Sequence, residues 1–141
     1  TKVRSMGIPC IYQPLKEGYR SWGGGLGLSR NLAGLELDAA YEYINWYLSG
    51  WVGGLLMRQG YYSAAPETSK LYMSDDEWGY WFEGKPAQND ILNPFGQKME
   101  TAGAVRDGGS FYERMGRVEC WNSVMDENRY MVRKWNEFIA S

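Results

Sequence analysis

The chain has 141 residues, a formal net charge of −2 and no histidine. That length allows one domain with a core of its own, while the charge excludes a nucleic-acid surface, which needs clustered Lys and Arg. Without histidine no Ser-His-Asp triad can be assembled, and the commonest nitrogen ligand for a metal is missing. No apolar run reaches the roughly 20 residues needed to span a bilayer.

Thr1-Lys2-Val3-Arg4-Ser5 shows neither an initiator Met nor a signal-peptide pattern, so the chain reads as a fragment of something longer. Residues 7–14 read as a short strand bounded by proline and a turn. Residues 17–29 are the stretch around which the chain is expected to be organised: a turn, Trp22, then Gly23-Gly24-Gly25-Leu26-Gly27. Glycines inside an apolar, strand-like run suggest a bulge or a close-approach site, and residues 22–29 are expected as the second strand. The run is not a phosphate loop, because Leu28-Ser29-Arg30-Asn31 follows with no lysine in register. The dinucleotide glycine spacing is missing too.

Residues 31–34 read as a loop. From Leu37 the period becomes helical, with Leu37, Ala40, Tyr41, Ile44 and Leu48 on one face. Ser49-Gly50 interrupts, and a second helix over residues 51–59 ends at Gly60 as a C-cap. Residues 61–66 follow as an extended loop. Ser74-Asp75-Asp76-Glu77 has capping-box spacing and opens a short helix through Trp81-Phe82. Residues 84–109, rich in Gly, Pro, Asn and Gln, read as irregular. Ser110-Phe111-Tyr112-Glu113 is a second capping box. The last helix is expected over about residues 122–140, with Val124, Met131, Val132, Trp135, Phe138 and Ile139 as its apolar stripe.

Two strands do not make a self-sufficient sheet, which again suggests a fragment. Cys10 and Cys120 lie far apart without CxxC spacing; a disulfide and two buried thiols are both compatible with them, and no cofactor is called for. Aromatics form 16% of the chain, and Trp and Tyr far outnumber Phe. Both combine an apolar body with a polar handle, which suits binding surfaces as well as cores.

Several stretches, taken in order, resemble one family. They are Pro14-x-x-Glu17-Gly18-x-x-x-Trp22, then Asp38-Ala39-Ala40-Tyr41-Glu42-Tyr43-Ile44-Asn45-Trp46-Tyr47-Leu48, then Gly60-Tyr61 with Pro66, and finally Trp121-Asn122. Their order and spacing resemble the C-terminal part of periplasmic solute-binding proteins of ABC importers, in the polyamine (spermidine/putrescine) branch. Residues 73–107 match nothing in that family. The resemblance implies the C-terminal portion of a two-lobed type II α/β fold, helix-rich with few strands, closing on solute by hinge motion. It makes residues 1–16 the end of a second-lobe strand and the hinge. Residues 17–72 become a first-lobe strand-helix-helix segment with a ligand-side loop, and residues 73–141 an irregular segment with C-terminal helices.

The same resemblance implies the binding residues. Trp22 falls on the family's cleft tryptophan, whose face suits an alkyl chain or a cation. Gly24 stands where polyamine binders place an aspartate, so the solute is a polyamine, another amine or a polar organic molecule. Tyr61 falls on the loop tyrosine, and Trp121-Asn122 on a late Trp-Gln pair, Asn having the same donor and acceptor set as Gln. Arg117, Glu119 and Asp126 flank that pair. The expected partners are a small-molecule solute and an ABC permease, in the periplasm, with no nucleic acid. Orphan strands and exposed apolar helix faces are expected to pair with a missing N-terminal part or swap into a homo-oligomer.

Two other readings compete. An interaction fragment would bury its aromatics and have no ligand site. A carbohydrate-active enzyme would need two carboxylates across a sugar cleft, for which Asp75, Asp76, Glu77 and Glu113 are the candidates. All four lie in capping-box segments, where acids need no catalytic explanation, so no enzyme activity is expected.

Overall fold

The computed structural model describes residues 3, 6–11, 15–122 and 127–140. The fold is mixed α/β and helix-rich, with few strands. Along the chain come β1 (Tyr19–Ser21), α1 (Gly34–Leu48), α2 (Trp51–Arg58), α3 (Pro66–Lys70) and α4 (Asp75–Trp78). A π-helical turn (Gly79–Glu83) continues α4, followed by β2 (Ile91–Leu92), β3 (Lys98–Glu100), α5 (Phe111–Met115), β4 (Val118–Trp121) and α6 (Asn128–Ile139).

The core lies elsewhere than expected. It is built from Met57, Trp78, Tyr80, Trp81, Phe82, Ala87 and Ile91, with Met73, Ala104 and Phe111 packed against it. Three rings form its spine: Trp78 stacks on Phe82 at 4.2 Å between centroids, and Phe82 on Phe111 at 4.7 Å. Such pairs add about 0.5–1.5 kcal/mol each beyond the area they bury. Both capping boxes form as expected and frame this core. Ser74 and Glu77 close the first turn of α4 reciprocally, and Ser110 and Glu113 do the same for α5. Gly84 turns away from the π-helical segment at φ 72°, and a Cβ there would lie 2.6 Å from the Ser110 nitrogen, so only glycine fits.

The helical period of α1 holds, and the helix begins earlier than the apolar face, at Gly34. Leu37, Ala40 and Ile44 are half-buried on one stripe, but Tyr41 and Leu48 are exposed, and no residue of α1 is fully buried. Gly50 separates α1 from α2 at φ 114°. Helix α2 then packs closely on α3, because Gly53 leaves room for the buried Ser69. The expected loop after Gly60 is shorter than read, since Pro66 starts α3 at a position that needs no backbone N–H.

Four expectations are corrected. Residues 22–29 carry no regular structure and are all exposed. Added Cβ atoms at Gly23, Gly25 and Gly27 would meet nothing within 4 Å. The run has too little side chain to pack, and what pairs is the segment before it. Residues 8–11 likewise carry no strand, while Tyr12, Gln13 and Pro14 lie outside the described residues. Residues 84–109 contain the antiparallel β2–β3 hairpin, in which Ile91 pairs with Glu100 and Leu92 with Lys98. Its turn is stabilised by Asn93 Oδ1, which accepts from the N–H groups of Phe95 and Gln97. Finally, residues 118–121 form β4, and α6 starts only at Asn128. Residues 118–121 lie before the expected helix start and form a strand by pairing with the distant β1. Of the α6 stripe, Met131, Val132, Trp135, Phe138 and Ile139 are exposed; Val124 and Asp126 lie outside the described residues. Cys10 and Cys120 are both exposed rather than buried. No helix among the described residues is long and apolar enough to cross a membrane.

Candidate functional site

The site is set up by β1 and β4, which run parallel although most of the described chain separates them. Tyr19 pairs with Val118, Arg20 with Cys120 and Ser21 with Trp121, with a bulge between Tyr19 and Arg20. Gly18 makes this approach possible: at φ 89°, an added Cβ would lie 2.4 Å from Glu119 Cγ and 2.7 Å from the Arg117 carbonyl oxygen. The sequence reading expected the close approach inside the glycine run; it lies instead at Gly18, upstream of that run. The Tyr19 N–H donates to the Arg117 carbonyl at 3.0 Å, and its hydroxyl donates to the Arg114 carbonyl.

Beyond the last pair, the Asn122 N–H donates to the Ser21 carbonyl at 2.8 Å. Trp22 and Asn122 therefore leave the carboxyl ends of two parallel strands side by side. In open α/β sheets that end is where ligands bind. Asn122 is not a helix cap, since it closes a strand pair instead.

Tyr61 reaches the same place from α2. The Gly60 N–H donates to the Met57 carbonyl at 2.8 Å and the Tyr61 N–H to the Leu56 carbonyl at 3.1 Å. With Gly60 at φ 93°, this is the Schellman ending that the C-cap glycine predicts. It aims Tyr61 at Trp22, and the rings meet edge to face, 6.0 Å between centroids at 73°. Trp22 is 60%, Tyr61 50% and Trp121 57% exposed, so none of these rings belongs to the core. Gly24 lies beside the Trp22 ring, which is 4.0 Å from where its Cβ would stand. Trp22, Gly24, Tyr61, Trp121 and Asn122 are thus gathered at one end of the β1–β4 pair, the last two through the backbone at Ser21.

Behind Tyr61 is a residue that the sequence reading did not single out. Arg106 is 8% exposed and donates to the carbonyls of Trp81 and Gly60, the latter at 3.0 Å. Its guanidinium lies 4.8 Å from the Tyr62 ring centroid and 5.0 Å from that of Trp81. Burial lowers its pKa to about 10, which leaves it a cation at neutral pH. Burial also raises the Tyr62 hydroxyl. The only signal in sequence is an arginine after Ala102-Gly103-Ala104-Val105, where the small apolar neighbours suggest burial.

Three of the four acids considered for catalysis, Asp76, Glu77 and Glu113, have structural partners. Asp76 accepts from the N–H groups of Gln88 and Asn89 at 2.7 and 2.8 Å, bonds that hold its carboxyl below the usual range. Burial raises the Glu77 carboxyl, but the Arg58 and Ser74 hydrogen bonds outweigh it, so its pKa is lowered. Arg58 grips Glu77 with two parallel bonds of 2.6 and 2.9 Å. Glu113 is occupied by Ser110. An open hollow lined by Pro9, Cys10, Ile11 and Asp107 includes none of the aromatic site residues.

No family model matches the chain, and no curated protein or solved structure matches it.

Proposed function

We propose that the chain is a non-catalytic solute-binding module, part of the binding component of an ABC importer. In this reading Trp22, Tyr61, Trp121 and Asn122 face a small polar or cationic solute such as a polyamine. The observation that carries it is the meeting of Trp22 with Tyr61 beside Asn122, at the carboxyl end of a parallel strand pair. Exposed Trp and Tyr rings present π faces to a cation or an alkyl chain, and an Asn amide both donates and accepts. Gly24 supplies no carboxylate for an ammonium group, which favours a singly charged or polar solute over a long polyamine. The periplasmic setting and the permease partner follow from the family resemblance.

Mechanism in this reading needs no bond chemistry. Solute docks on the aromatic face, closure of a facing surface removes its water, and the affinity difference between open and closed forms drives the change.

Thermal unfolding with a panel of polyamines, small quaternary amines, amino acids and sugars tests the proposal. A true solute at a hundred times its Kd adds about 2.7 kcal/mol of stability. That gain should be selective and should vanish in Trp22→Ala and Tyr61→Ala. A well-folded protein unmoved by every solute would reject it.

The second reading, an interaction fragment, is favoured by one observation. Trp135, Phe138 and Ile139 of α6 are 61%, 68% and 63% exposed, a stripe suited to another protein surface. Concentration-dependent sedimentation, unchanged by any solute, would support that reading instead.

A further inference from the structure

We propose that Arg106 is a positioning residue for the candidate site, clamping the loop that carries Tyr61. This rests on the reading of Tyr61 as a ligand-facing residue.

The loop leaves α2 at Gly60, whose backbone conformation only glycine adopts readily. Its N–H is satisfied within the helix ending, and its carbonyl is taken by Arg106 Nη2. One residue past Tyr61, the Tyr62 ring packs against the same guanidinium and, at 4.8 Å, against Phe111 of the core. Tyr61 therefore sits between two residues that Arg106 holds. The other end of the clamp is fixed, because Arg106 also binds the carbonyl of Trp81, which is 1% exposed. Arginine alone can do this. Its planar fork reaches two carbonyls at once and offers flat faces to aromatic rings, whereas lysine is a point donor on a flexible stem.

The clamp also gives a role to a guanidinium that is only 8% exposed. Burying a guanidinium is costly unless its donors are used and its charge is met. Here two carbonyls and two ring faces meet it, and the return is a fixed exit direction for Tyr61. A simple apolar side chain would fill the space but would leave the Gly60 carbonyl without its partner.

The test is Arg106→Lys, which keeps charge and most of the volume, read by NMR in the whole chain. The expected result is loss of ring-to-ring NOEs between Trp22 and Tyr61. The cross-strand signals between Ser21 and Asn122 should persist. For whichever panel solute binds the wild type, affinity should fall about tenfold or more. Combining Arg106→Lys with Tyr61→Ala should then cost little beyond Tyr61→Ala alone, as expected of residues acting as a unit. Should no solute bind the wild type, the binding reading fails, while the NOEs still decide the clamp. A folded Arg106→Lys protein with wild-type Trp22–Tyr61 NOEs would overturn the proposal. If that variant does not fold, hydrogen exchange in the wild type decides. Arg106 guanidinium protons and the Tyr61 amide opening together supports the clamp, and Tyr61 opening while Arg106 stays protected overturns it.

Discussion

The backbone N–H of Asn122 donates to the carbonyl of Ser21 at 2.8 Å, and this one bond places Trp22 and the Trp121-Asn122 pair next to each other. It is the last rung of a ladder that depends on Gly18. Replacing Gly18 with alanine forces a strained φ of 89° and a Cβ 2.4 Å from Glu119 Cγ. We expect a loss of about 2–3 kcal/mol, measured by urea denaturation, with disappearance of the Ser21–Asn122 cross-strand signals. Gly23→Ala, in open space, should change stability by about 0.5 kcal/mol or less.

The stacked rings of the core give a second test. Phe82 is 9% exposed and stacks on both Trp78 and Phe111. Phe82→Ala removes the middle of that column and should cost about 3–5 kcal/mol. The denaturation midpoint in urea reports it, and Phe82→Leu should recover part of the loss.

Close helix packing makes Gly53 a third test. An alanine Cβ there would stand 1.9 Å from Ser69 Oγ, which itself donates to the Ala65 carbonyl at 2.7 Å. Gly53→Ala should therefore destabilise by about 1–3 kcal/mol through overpacking, against the usual helix gain of about 1 kcal/mol for this change. Adding Ser69→Ala should restore part of the loss in thermal melts.

Glu77 links pH to stability. Its folded pKa lies below the ordinary 4.5, so near that pH the unfolded chain binds more protons than the folded one, and stability rises with pH. The contribution is complete above about pH 5.5 and disappears as pH falls through the folded value. Asp76, also lowered, acts in the same direction. Glu77→Gln should cost about 1–2 kcal/mol at pH 7, because Arg58 loses its charged partner. It should also flatten the decline in urea midpoint between about pH 5 and pH 3.5.

Elements fixed by local chemistry could be read directly from the residues. The two Ser-x-x-Glu boxes, the Gly60 ending and the Leu37–Ala40–Ile44 stripe each depend on neighbours within a turn or two, and each appears where its pattern put it. What depends on distant partners could not. From sequence no element is read at Val118 to Trp121, which form a strand only because β1 lies beside them. The Gly23–Gly27 run looks like a strand, yet its one side chain beyond glycine, Leu26, is exposed, which leaves little to hold one. The candidate site is read from sequence only as a set of residue types, Trp22, Gly24, Tyr61, Trp121 and Asn122. Its scaffold was not, because Arg106 acts through carbonyls and rings that its own neighbours in sequence do not reveal.

The parallel pairing of Tyr19 with Val118 also sets an order of events. The core between Met57 and Phe111 is assembled from residues close in sequence, whereas β1 and β4 meet only by closing a loop of roughly a hundred residues, an entropic cost on the order of 4 kcal/mol. Contacts of such long range form late in folding. The aromatic surface therefore comes into being only once both flanks of a finished core have found each other. Cutting the chain between β1 and the core, or between the core and β4, would weaken the candidate site by adding to the cost of bringing its strands together.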